Sequence, residues 1–177
     1  MSKGRAYSNG SDGWETLAMS GSSESQNSDA QQIVINAAKK AHEDAAKAPY
    51  TYGGNDTSGF DCSGYVIYVF NKAFGDNTLQ RVTADALRVG GKFTTEKTPL
   101  PGDLVFFSKN KSTASHVGIV LNSDYWIGSQ SSTGVAEVKF SNSYWKPLIL
   151  SYGRYIGMQK SDSLIPLQAG SFPSKIK

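Results

Sequence analysis

Cysteine is almost absent: the 177 residues hold one, Cys62, so no internal disulfide can form and paired-thiol zinc or redox motifs lack a second ligand. Histidine is nearly as scarce, with two, at positions 42 and 116. No stretch approaches the ~20 consecutive apolar residues that a membrane-spanning helix needs, which argues against insertion in a bilayer. Lys and Arg number 18 against 15 Asp and Glu, and no run gathers them into the dense patch that would make nucleic acid an expected partner. The N-terminal residues contain no apolar stretch of about 7–15 residues behind their basic ones, so no Sec signal is read there. What is present is 38% hydrophobic and 11% aromatic residues, enough for one compact core and too short a chain for two full domains.

Residues 1–27 are rich in Ser, Gly and Asn without apolar periodicity and are expected to form a flexible leader, with Trp14 and Leu17 its only docking residues. Order is expected from Ser28, which opens a capping box with Gln31 and a helix to about Lys47. Val34, Ala38, Ala41 and Ala45 fall at helical spacing, and His42 lies on the wet face. A turn over Pro49–Gly54 and a loop over Asn55–Phe60 follow. A buried helix is expected from Asp61 to Phe74 with Gly75 as its stop, and a short one from Thr83 to Arg88. Strands are expected at 104–107, 116–121, 125–130, 135–140 and 148–156. Strands in succession with short connections imply an α+β fold, an antiparallel sheet packed against helices. Residues 28–158 then form the folded domain, and 159–177 a tail in which Leu164, Ile165 and Leu167 are the packing candidates.

Cys62 falls in the first turn of a helix, where unpaired N–H groups and the helix dipole favour a thiolate. Asp61 opposes that charge, so a cationic partner such as an imidazolium is required to keep the sulfur ionised. The alternative is that Cys62 is a small buried apolar residue. His116 opens an apolar strand, where its ring can sit at a sheet edge beside a cleft; the alternative is a structural histidine bonded to a carbonyl. A Cys–His pair also needs a third polar group to orient the imidazole.

Four blocks in order, Tyr52-Gly53-Gly54, Asp61-Cys62-Ser63-Gly64, Pro101-Gly102-Asp103-Leu104-Val105-Phe106-Phe107 and His116-Val117-Gly118-Ile119, resemble the NlpC/p60 cell-wall cysteine peptidases over about residues 30–156. The resemblance implies a papain-like α+β fold, a nucleophile at Cys62 and a general base at His116. It also implies hydrolysis of amide bonds in peptidoglycan stem peptides, often between γ-linked D-glutamate and a diamino acid, without a cofactor or metal. Many members carry a second histidine that would fall at Gly128, which has no side chain to orient a ring. Gln130 is two residues on and shares that strand face, so its carboxamide is the expected third catalytic group; Ser129 should face away, and Ser131 is the weaker choice. By the same resemblance Tyr52, Asp61 and Ser63 line the pocket for the substrate, although a carboxylate and a serine there also read as capping residues. Arg81 and Thr83 lie where members often carry an arginine and small polar residues, with no role inferable.

Two other classes stay open: a thiol acyltransferase or deamidase on the same fold, because a thioester can be resolved by an acceptor other than water, and a non-catalytic cell-wall-binding module. Without a Sec signal or a wall-binding repeat, the reading favours a bacteriolytic effector toxin or a phage-type enzyme. Such a protein would act in the bacterial periplasm or cell wall after delivery by a secretion system or phage. An effector implies an immunity or inhibitor protein in its producer; a monomer without membrane insertion is the expected state.

Overall fold

The computed structural model describes residues 22–158 of the chain. The expectations for the leader up to residue 21, for Trp14 and Leu17, and for the tail with Leu164, Ile165 and Leu167 lie outside the described residues. The compact unit that carries the candidate site begins at Ala30.

The first helix, α1, runs Ser22–Asp44. It therefore starts six residues earlier than the capping box suggests, and Ser28 is an interior residue. Between Gly21 and Pro49 the sequence has neither glycine nor proline, so nothing in it stops helix propagation at Ser28. Ala30, Val34, Ala38, Ala41 and Ala45 form its buried stripe, and these small side chains let α1 approach closely. Its partner is α2, Cys62–Phe74, whose buried Tyr65 donates its hydroxyl to the Ala38 carbonyl at 2.7 Å. The α2 interior residues Val66, Val69 and Phe70 are fully buried, each contributing about 1.5–3 kcal/mol of apolar transfer. Gly75 ends the helix with φ +113° and returns its N–H to the Asn71 carbonyl, the stop read from sequence.

Between these helices the expected loop contains a two-residue antiparallel ladder, β1 (Asn55–Asp56) with β2 (Gly59–Phe60). A short α3, Ala84–Val89, is capped by the Thr83 hydroxyl, which accepts from the Ala86 N–H. The main sheet is built from β3 (Phe93–Glu96), β4 (Leu104–Phe107), β5 (His116–Val120), β6 (Tyr125–Gln130), β7 (Gly134–Lys139) and β8 (Ile149–Tyr155). Its order is β3-β8-β4-β5-β6-β7, antiparallel throughout. Strand β3 was not anticipated, since Phe93-Thr94-Thr95-Glu96 is short and mostly exposed; pairing with β8 is what makes it a strand.

Strand alternation gives the sheet two different faces. Val117, Ile119 and Ile127 join the core with α1 and α2, while Val105, Phe107, Val120 and Trp126 form a second cluster on the opposite face. That second cluster is covered by the segment between β7 and β8, through Phe140, Trp145 and Leu148. Among the described residues no helix is long and apolar enough to cross a membrane.

Candidate active site

The first turn of α2 is held by its cap. Asp61 Oδ1 accepts from the Gly64 N–H at 2.7 Å, and Oδ2 accepts from the Gly53 N–H at 2.9 Å. The Asp61 N–H in turn donates to the Gly54 carbonyl at 2.9 Å, so the turn Thr51–Gly54 and the helix start are stitched together. Contact here is too close for a side chain: a Cβ on Gly64 would lie 2.0 Å from the Gly54 carbonyl oxygen. That is the physical reason for a glycine two residues after Cys62.

Cys62 is the first residue of α2 and is buried. Burial is the largest influence on its thiol and pushes its pKa up, and Asp61 adds to the rise; the N–H groups of Val117, Ser63 and Cys62 itself pull the other way. The thiol thus meets the backbone of Val117, the neighbour of His116 on β5. His116 is 8% exposed, and burial pushes its pKa down to about 4 against the opposing pull of Gln130. Burial thus opposes charge on both groups, because neither a thiolate nor an imidazolium is solvated in this setting.

His116 also departs from the expected sheet-edge position. Strand β5 is an inner strand, and the ring is enclosed by Phe107, Trp126 and Trp145. Gln130 reaches it: His116 Nε2 lies 3.1 Å from Gln130 Oε1. The amide orientation follows from its other end, where Gln130 Nε2 donates to the Thr133 hydroxyl at 3.3 Å and that hydroxyl donates to the Gly134 carbonyl at 2.8 Å. With Oε1 facing the ring, Nε2 carries the imidazole hydrogen and Nδ1 keeps its lone pair. Gly128 makes this reach possible, since a Cβ there would stand 2.7 Å from Gln130 Oε1. Ser129 faces the other way, as alternation requires, and donates to the Phe60 carbonyl at 2.8 Å.

The expected pocket residues divide. Asp61 and Ser63 are buried at the helix start, with Ser63 Oγ donating to Asp61 Oδ1 at 3.3 Å. Arg81 engages both, donating to Asp61 Oδ2 at 2.5 Å and to Ser63 Oγ at 2.9 Å. Arg81 therefore neutralises the cap carboxylate, a contact across 20 residues that spacing alone does not reveal. Tyr52 is 92% exposed. It sits at the tip of the turn closed by the Gly54 N–H to the Thr51 carbonyl, with Gly53 at φ +77°, so its side chain projects outward. Tyr50, before that turn, meets the site instead. Its phenol interacts with the backbone N–H of Cys62, and burial followed by Cys62 and Asp61 pushes its pKa up. The Tyr52-Gly53 turn sends one tyrosine to solvent and leaves the other behind it.

The model of the NlpC/P60 family matches residues 47–154. The probable peptidoglycan endopeptidase LytE of Bacillus subtilis is 37% identical over 115 residues, 63% of this chain and 30% of LytE. The gamma-DL-glutamyl hydrolase of the same organism is 38% identical over 109 residues, 60% of this chain and 26% of that protein. The chain thus spans less than a third of either relative. Among solved structures, the P60 domain of an M. avium paratuberculosis antigen superposes with a TM-score of 0.56 at 15% identity, covering 77% of this chain and 99% of that one. That likeness concerns the fold.

Proposed function

Since the chain belongs to the NlpC/P60 family, we propose that it is a cysteine peptidase that hydrolyses amide bonds in peptidoglycan stem peptides, with the γ-D-glutamyl–diamino acid bond as its target. The observation that carries the chemistry is the hydrogen bond from His116 Nε2 to Gln130 Oε1, which leaves Nδ1 as the free base, on the strand whose next residue, Val117, meets the Cys62 thiol through its backbone. The names of the two B. subtilis relatives support the substrate class and the γ-glutamyl bond.

In this mechanism His116 Nδ1 accepts the thiol proton as Cys62 Sγ attacks the scissile carbonyl carbon, so charge appears on sulfur only as the bond forms. The carbonyl oxygen becomes an oxyanion near the Cys62 N–H, which in the resting site donates to the Tyr50 phenol oxygen, and near the Tyr50 hydroxyl itself. The C–N bond then breaks, the imidazolium returns its proton to the leaving amine, and a thioester remains on Cys62. Water, deprotonated by His116, hydrolyses the thioester and restores the thiol. Gln130 holds the ring in the tautomer that both proton transfers need.

The test is mass spectrometry of peptidoglycan fragments incubated with the wild type and with Cys62→Ala. New peptides only in the wild-type digest are expected, and their masses name the bond. His116→Ala should be nearly as inactive as Cys62→Ala, and Gln130→Ala slowed but active, because a positioning group usually costs less than the nucleophile. Absence of cleavage in both sacculi and free stem peptides would overturn the peptidase reading and turn attention to acyl transfer or deamidation. We further propose action at the bacterial cell wall, as a delivered bacteriolytic effector. A neighbouring-gene survey without a secretion apparatus or an immunity protein would overturn the effector role alone.

A further inference from the structure

Hydrogen bonding alone leaves the His116 ring free to turn about the Nε2···Oε1 direction, because the terminal torsion of histidine is broad. An aromatic side chain removes that freedom. The Trp145 ring centroid lies 4.6 Å from that of His116, with the planes 30° apart, while Phe107 and Trp126 stand further off at 5.6 and 5.8 Å. Phe107 and Trp126 are fully buried parts of the sheet, but Trp145 comes from the segment between β7 and β8 and is only partly buried. The segment is shaped to present it: Asn142 Oδ1 accepts the N–H groups of Tyr144 at 2.9 Å and Trp145 at 3.0 Å. The Lys146 N–H then donates to the Asn142 carbonyl at 2.9 Å. Trp145 and Gln130 also line one open cleft of about 350 Å³.

We propose that Trp145 is a positioning residue for the hydrolysis: its indole face sets the plane of the His116 imidazole, keeps water from the ring and so fixes the direction in which Nδ1 points. The proposal rests on the peptidase reading for its catalytic consequence. Around the ring stand Phe107 from β4, Trp126 and Gln130 from β6 and Trp145. The thiol of Cys62 is met one residue along, at Val117. No charged side chain is among these groups, so the ring is oriented by the Gln130 bond and by the aromatic faces around it. An imidazole held in one plane serves both proton transfers, so its loss affects turnover rather than substrate binding.

The experiment compares the wild type with Trp145→Phe, which keeps a ring, and Trp145→Met, which keeps apolar cover over Trp126 and Phe107 without one. Each is read by NMR titration of His116, resolvable because His42 is the only other histidine, and by kcat and KM on peptidoglycan fragments. Trp145→Met should lose about tenfold or more in kcat with KM within about twofold, and its His116 midpoint should rise toward the ordinary value as water reaches the ring. Trp145→Phe should recover most of both. In the wild type itself, the His116 ring protons should be shifted upfield by the indole, a reading that needs no variant to fold. Unshifted wild-type ring protons, or a folded Trp145→Met with wild-type kcat and midpoint, would overturn the proposal. A Trp145→Phe variant as defective as Trp145→Met would do the same. The NMR readings need no substrate, so a failure of the peptidase reading is distinguishable from a failure of this one.

Discussion

Gln130 reaches His116 only because residue 128 has no side chain. Gly128→Ala is therefore expected to push the carboxamide off the ring. The Cβ would also meet the buried Trp126 ring at 3.2 Å and the Val117 carbonyl at 3.3 Å, so about 1 kcal/mol of stability should be lost while kcat falls about tenfold or more, which thermal melts and steady-state kinetics read together. In the proposed mechanism the acid limb of activity belongs to the same pair. His116 must be unprotonated to accept the thiol proton, and with its pKa at about 4 the rate should hold through mild acid and fall only near pH 4. A limb centred at 6 or above in a pH profile of kcat/KM would contradict a buried neutral base. Cys62 and His116 were legible in sequence from their neighbours, and Gln130 from the two-residue period of a strand. Tyr50 and Arg81 were not legible as site residues: one depends on where a turn sends its tip, the other on a bond between segments distant in sequence.

Element boundaries were legible wherever one residue type decides them. Gly75 stops α2, Thr83 caps α3, and Asp61 caps the helix that bears the cysteine. Where cooperativity decides instead, the reading slipped, as at the start of α1, and β3 became a strand only through β8. The sheet elements are also joined by a polar contact invisible to strand patterning. Arg154 on β8 donates to both oxygens of the fully buried Asp103, at 2.9 and 2.8 Å, and to Glu96 on β3 at 3.1 Å. Arg154→Leu leaves the Asp103 carboxylate buried with its guanidinium gone, so a loss of about 3–5 kcal/mol is expected in denaturant unfolding. A loss under about 1 kcal/mol would mean that the pair contributes no more than a surface bridge.

Stability of the whole molecule should carry the signature of the buried histidine. In the unfolded chain His116 titrates near 6.5 and in the fold near 4, so between those values the unfolded state binds more protons. Stability contributed by the neutral ring is complete above pH 6.5, is lost as pH falls, and levels off below about 4. The gap corresponds to about 3 kcal/mol. His116→Gln should flatten that part of the profile relative to the wild type in unfolding measured from pH 7 to 4; parallel profiles would contradict it. The sequence by itself determined the α+β class, most of the elements, and the residues able to do thiol chemistry, because helical and strand periods, caps and turns act over a few residues. Only the tertiary structure decided that burial opposes charge on Cys62 and His116, that Arg81 neutralises Asp61, that Tyr50 rather than Tyr52 meets the cysteine, and that Trp145 lies on His116. Burial and contacts between distant segments set charge state and orientation, and neither is a local property of the chain.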